Sequence, residues 1–162
     1  MHLAGVPQDT PERELTVMTA APLTHSPRAN TTHTHVPAHA LASRYLDVAQ
    51  MPWTATPYHG IHIKVLYQDQ ATGLLTALFK WDAGAVLPLH EHVELEQTYV
   101  IEGSFEDDEG ICAAGNYVWR PPGSRHVART KDGALLIGFF LKPNIFFGPN
   151  GEQTVFDTKG KP

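Results

Sequence analysis

His90, His92, Glu96 and His126 form the group of side chains in this sequence best suited to chemistry. A neutral imidazole offers a lone pair to a divalent metal, and a carboxylate adds a charged oxygen donor. Residues i and i+2 of a strand project to one face, so extended backbone would turn His90 and His92 the same way. Glu96 follows a short break and can swing in from the start of the next strand. His126 follows Pro121-Pro122-Gly123, a rigid turn that fixes where its strand begins. Four protein donors leave one or two positions open on a six-coordinate ion. Open positions mark a catalytic or ligand-binding centre more than a closed structural one. An isolated H-x-H carries little weight by itself. His33-Thr34-His35 is a second one, in a His-rich tract suited to adventitious metal.

Blander roles are expected for the neighbours. Glu91 and Glu94 have the opposite parity to the histidines and should face solvent. Residues 106–109 lack the spaced ligands and central Gly of a calcium loop and read as a solvated hairpin tip. His59 and His62 read as structural, and Arg120, Arg125 and Arg129 as three solvated arginines. Cys112 has no basic neighbour in sequence to lower its pKa and reads as a small core residue. Phe79, Trp81, Tyr99, Trp119, Phe139 and Phe140 are expected mainly in the core, with some lining the mouth of a ligand pocket.

Strands must position these side chains. Residues 61–67, 73–81, 96–102, 111–113, 117–119, 126–128 and 134–141 are short apolar or alternating runs. They are separated by turn signals such as Asp82-Ala83-Gly84, Gly103-Ser104, Asp107-Asp108-Glu109-Gly110 and Lys131-Asp132-Gly133. Many short strands at that spacing predict an all-β sandwich or barrel. A short helix is expected only within residues 38–49. The first 40 residues hold five of the ten His and five of the thirteen Pro but no aromatic residue, and predict a disordered tail. Residues 41–162 then form one domain, as expected for 162 residues. No basic segment precedes a continuous apolar run, so no secretory signal is read. The formal net charge of −5 argues against nucleic-acid and anionic-membrane partners, and no apolar run is long enough to span a bilayer. One Cys excludes an internal disulfide and weakly fits the cytoplasm.

Two blocks carry a family resemblance. The first is Gly84, five residues, His90-Glu91-His92, three residues, Glu96, six residues, Gly103. The second is Gly115, five residues, Pro121-Pro122-Gly123, two residues, His126. Together they resemble the two signature motifs of the cupin superfamily, with Thr130 where the family often has Asn. The resemblance implies a double-stranded β-helix, a jelly-roll barrel, with one divalent metal on His90, His92, Glu96 and His126. Two branches look closest. One is the small dioxygenases that cleave diketones and hydroxyketones. The other is the cupin domain of zinc-dependent anti-sigma factors, which Met51-Pro52-Trp53-Thr54 and Gly103-Ser104-Phe105-Glu106-Asp107 resemble. Residues 1–40 have no Cys and no amphipathic helical pattern. That argues against the helical zinc module through which such regulators bind sigma factors.

What the resemblance implies is a mononuclear non-haem dioxygenase. Fe(II) is favoured over Zn(II), Ni(II) or Mn(II), with a small oxygen-rich ketone and O₂ as substrates and Glu96 as catalytic base. Diketone-cleaving relatives are expected to use three His without Glu. With Glu96, the ligand set is nearer to flavonol-type dioxygenases. The alternatives are a zinc-binding cupin that senses a small molecule and a non-oxidative cupin isomerase or lyase. A homodimer is expected, because a jelly roll leaves edge strands to cover.

Overall fold

The computed structural model describes residues 42–156, of which 43–156 fall in the compact unit Ser43–Pro162. The described residues form strands and contain no helix. In chain order these are β1 Thr54–Ala55, β2 Ile61–Asp69, β3 Leu74–Trp81, β4 Val86–Glu91, β5 Glu96–Glu106, β6 Ile111–Ala113, β7 Tyr117–Arg120, β8 Arg125–Arg129, β9 Ala134–Phe140, β10 Ile145–Phe147 and β11 Gln153–Val155. They pair antiparallel in the order β1-β2-β3-β9-β5-β8-β4-β10-β11, with β6 and β7 also on β5. This curled antiparallel sheet is the all-β barrel expected.

The core follows from period-two alternation. Along β3, Leu75, Ala77, Phe79 and Trp81 turn inward and are buried. They meet Ile61 and Ile63 of β2 and Leu136 of β9. Phe79 packs edge-on to Phe140, ring centroids 5.7 Å apart. β5 spans the barrel. Its early half pairs with β7 and β9, and its end pairs with β6 and β8.

Several expectations need correction. No helix occupies residues 42–49, which form irregular chain and a turn. Gly103-Ser104 is no strand break. β5 passes through it, helped by a bulge between Val100 and Glu102. Residues 86–91, 145–147 and 153–155 are strands that the apolar runs did not reveal. Tyr99, Trp119 and Phe139 are not core. They stand exposed on the outer sheet face, where Phe139 and Trp119 flank Gln97 across three strands. The tail expected over residues 1–40, including His33 and His35, lies outside the described residues. No helix among the described residues is long and apolar enough to cross a membrane.

Candidate metal centre

β4 and β8 bring His90 and His126 together. They pair with His90 opposite His126 and Glu91 opposite Arg125. Pro88 has no N–H to donate, and the register shifts between Leu87 and His90. His92 lies just beyond β4 and is locked to the turn before β8. Its N–H donates to the Ser124 carbonyl at 3.0 Å, and its carbonyl accepts the Gly123 N–H at 2.7 Å. His90 and His92 are almost fully buried, at 1% and 0% exposure.

His90, His92 and His126 each direct a ring nitrogen to a common point, with these atoms within 4.8 Å of one another. His90 Nδ1 lies 2.8 Å from the Pro88 carbonyl, and His126 Nδ1 lies 2.8 Å from Asp107 Oδ2. An Nδ1–H donated to each oxygen leaves Nε2 as a bare lone pair. His126 Nε2 lies 3.0 Å from His92 Nε2. Burial pushes His90 down to about 4, against a smaller opposing contribution from the Pro88 carbonyl. Burial, then the Arg120 charge, lowers His126. Both rings are therefore neutral and able to ligate at neutral pH.

Glu96 stands at the start of β5, as expected, but outside the three-His group. Its Oε2 is 2.8 Å from His92 Nδ1 and accepts Asn144 Nδ2 at 2.9 Å. The Thr98 hydroxyl donates to Oε1 at 3.2 Å. The approach to His92 has the distance of a hydrogen bond without its direction, so Nδ1 is left without a well-aligned partner. Burial alone would raise the Glu96 carboxyl. His92, Asn144 and His90 outweigh it and hold the group below its ordinary value. The donor set fits a divalent ion: three converging imidazole nitrogens, two facing each other at 3.0 Å, and a carboxylate on the same cavity wall.

Asp107 belongs to this centre although sequence reading placed it on a solvated hairpin tip. Its side chain is almost fully buried. Oδ2 accepts His126 Nδ1 and an Arg120 N–H. Oδ1 accepts the backbone N–H groups of Glu109 at 2.8 Å and Gly110 at 3.1 Å, an Asx turn. Those donors, with His126 and Arg120, hold its carboxyl below the ordinary value against the opposing effect of burial. Arg120 is correspondingly buried and paired, not solvated, and also reaches Glu109 at 2.9 Å. Arg125 pairs with Glu91, and Arg129 with Glu106 and Asp108. Asp107 falls in a run of acids, and nothing local in the sequence distinguishes it from Asp108. Glu94 is exposed, and His59 and His62 lie outside the three-His group. Thr130, the departure from the family pattern, is a turn former. Its hydroxyl donates to the Ser104 carbonyl at 2.7 Å and accepts the Gly133 N–H at 3.0 Å.

A cavity of about 30 Å³ opens against His90, Glu96, Thr98 and His126. Leu87, Phe105, Ala128 and Leu136 wall it, with Trp81 beside them. That is room for one or two water-sized groups.

The sequence model described as the ChrR cupin-like domain matches residues 41–143. The chain belongs to this cupin family. A search of the curated proteins finds no match. Among solved structures, a candidate acetylacetone dioxygenase from Methylibium petroleiphilum PM1 superposes with a TM-score of 0.66. It has 23% identity over 72% of this chain and 90% of that one. An acetylacetone dioxygenase from Acinetobacter johnsonii gives 0.64 and 21% identity, covering 80% and 91%. The anti-sigma factor ChrR, bound to SigE of Rhodobacter sphaeroides, gives 0.51 and 19%, covering 57% and 51%. At these identities the superpositions establish the cupin fold.

Proposed function

We propose that this cupin is a mononuclear non-haem dioxygenase that uses Fe(II) and O₂ on a small diketone, hydroxyketone or similar ketone. The observation that carries the reading is the convergence of three imidazole nitrogens, two of them from residues that line a largely apolar cavity. His90, His92 and His126 would hold the ion, with Glu96 as the expected fourth donor or as the base beside it. A bound divalent ion would supply Lewis acidity and a meeting point for substrate and O₂.

The chain's own residues do the rest. Asp107 fixes the His126 ring through Nδ1, and the Pro88 carbonyl does the same for His90. Glu96 is held as a carboxylate. Oε2 is engaged by Asn144 and faces His92, so Oε1, with the Thr98 hydroxyl as partner, is the oxygen that takes a substrate proton. Leu87, Phe105 and Leu136 exclude bulk water from the proton transfer. We also propose a homodimer that covers exposed edge strands, and a cytoplasmic location.

The test is anaerobic purification, metal analysis and O₂ uptake with Fe(II) and a panel of diketones and hydroxyketones. O₂ consumption that requires both Fe(II) and one of these ketones is the expected result. Tight binding of Zn(II) alone, with no ketone drawing O₂, would overturn it. That outcome would favour a second reading, a zinc-binding cupin that senses a small molecule, which the match to the ChrR cupin-like domain supports.

A further inference from the structure

One residue that lines the metal cavity, and that also borders the pocket beside Trp53 and Asp132, carries a buried polar group without a partner. Trp81, the last residue of β3, is 6% exposed. Its side chain turns into the barrel and packs on Phe105, ring centroids 6.2 Å apart, and both residues line the cavity. Its indole Nε1–H is buried with no acceptor. Buried donors are almost always satisfied, and an orphaned one lowers stability until an acceptor arrives.

The other polar groups on this wall are committed. The Thr98 hydroxyl donates to Glu96, His90 Nδ1 faces the Pro88 carbonyl and His126 Nδ1 faces Asp107. The inward nitrogens of the two histidines are lone pairs, and Glu96 is an acceptor. Leu87, Phe105, Ala128 and Leu136 have no polar side-chain atoms. Among the described residues lining the cavity, Trp81 alone offers an unspent hydrogen. The space beside it, about 30 Å³, admits one or two oxygen-sized groups, enough for the oxygen-bearing end of a ligand and not for the whole of one.

We infer that Trp81 is a ligand-reading residue whose indole N–H donates a hydrogen bond to an oxygen of the small molecule bound in the metal cavity. This deepens the proposed function and rests on its reading that the cavity takes an oxygen-bearing ligand. The class of ligand is one with a carbonyl, enolate or carboxylate oxygen free to accept from the protein side. A site built to donate to such an oxygen discriminates against analogues that lack it, because the donor would stay unpaired.

The experiment uses full-length protein loaded with Zn(II), a diamagnetic ion, and ¹⁵N-labelled at its three tryptophans. The Trp81 side-chain signal is identified by elimination with W53F and W119F. Acetylacetone and acetate are titrated separately. The expected result is a downfield shift of the Trp81 indole proton that saturates with the ligand, while Trp53 and Trp119 stay in place. W81F keeps the aromatic packing and removes the hydrogen. It should bind acetylacetone about tenfold more weakly.

If acetylacetone binds, as reported by backbone amides, and the Trp81 signal stays put, the inference falls and the diketone reading stands. If acetate moves Trp81 and acetylacetone does not bind, the diketone reading falls and the inference stands. A Trp81 signal unmoved by either probe overturns the inference. Should W81F fail to fold, the wild-type signal decides by itself.

Discussion

Asp107 gathers four donors on two oxygens: His126 and Arg120 on one, two backbone amides on the other. Replacing one oxygen by an amide group, in D107N, should loosen the His126 ring and cut metal affinity about 10–100-fold. Competition with a chromophoric chelator measures this, and unchanged affinity would remove Asp107 from the centre. H92A should strip most of the metal, read by elemental analysis. Full occupancy in that variant would sink the ligand assignment. Acid acts with a definite sign. His90 keeps its lone pair down to about 4 in the fold, whereas an unfolded His takes its proton near ~6.5. Between those values the unfolded chain binds the extra proton. Stability of the metal-free protein should therefore fall as pH drops through that window, by ~3 kcal/mol for this group alone. Urea midpoints at pH 7 and pH 4.5 test it. An ordinary imidazole pKa would put metal loss below about pH 6, because a protonated ring cannot ligate. Burial lowers both His90 and His126, so proton competition and the loss move to lower pH. The grouping of the three histidines was legible because their spacing and a Pro-Pro-Gly turn are local signals, although His92 lies just beyond β4 and not on the strand that parity required. Asp107 was not, and of Trp81 only the placement was legible and not its unpaired N–H, because both depend on neighbours far along the chain.

At the scale of the strand, Gly103 shows what the last glycine of the first motif does. Its φ is +68°, and a Cβ there would meet the Gly133 carbonyl oxygen at 2.0 Å. The bulge two residues earlier and this left-handed residue let β5 pass from one set of partners to the other without ending. Ala at this position adds backbone strain and a clash with main chain that cannot rotate away. G103A should lose more than ~2 kcal/mol, read as a lowered thermal midpoint. Sequence reading took Gly103-Ser104 for a turn because glycine usually ends a strand, and here it bends one. Residues 86–91 were missed as a strand for a related reason. Pro88 interrupts the alternation, and the ladder tolerates it only by shifting register. The central strands 61–69, 74–81 and 134–140 were legible from their apolar runs because they wall the core.

The whole molecule joins distant parts of the chain at one point. His90 and His92 come from the chain around β4, His126 from β8, and Asp107 from the turn after β5. The barrel was legible from the rhythm of strands and turns. Its closure was legible only through the family resemblance, because strand order depends on pairings such as β3 with β9 and β4 with β10 that no short window records. A chain lacking residues 1–40 should bind metal with the same stoichiometry and affinity as the full chain. Loss of binding would show that those residues contribute to the centre. Loading the full chain with metal at about 100 times its Kd should add roughly 2.7 kcal/mol to stability, and a chelator should reverse this.

His90 faces His126 across the β4–β8 ladder, and His92 is stitched to Gly123 and Ser124 in the adjoining turn. An ion held by all three rings would thus be a clasp across one seam of the barrel. Parting that seam would require releasing it. Amide hydrogens at His92 and Gly123 that exchange by opening there should then exchange about 100-fold more slowly at that metal loading, while amides at the β10–β11 end keep their own rates.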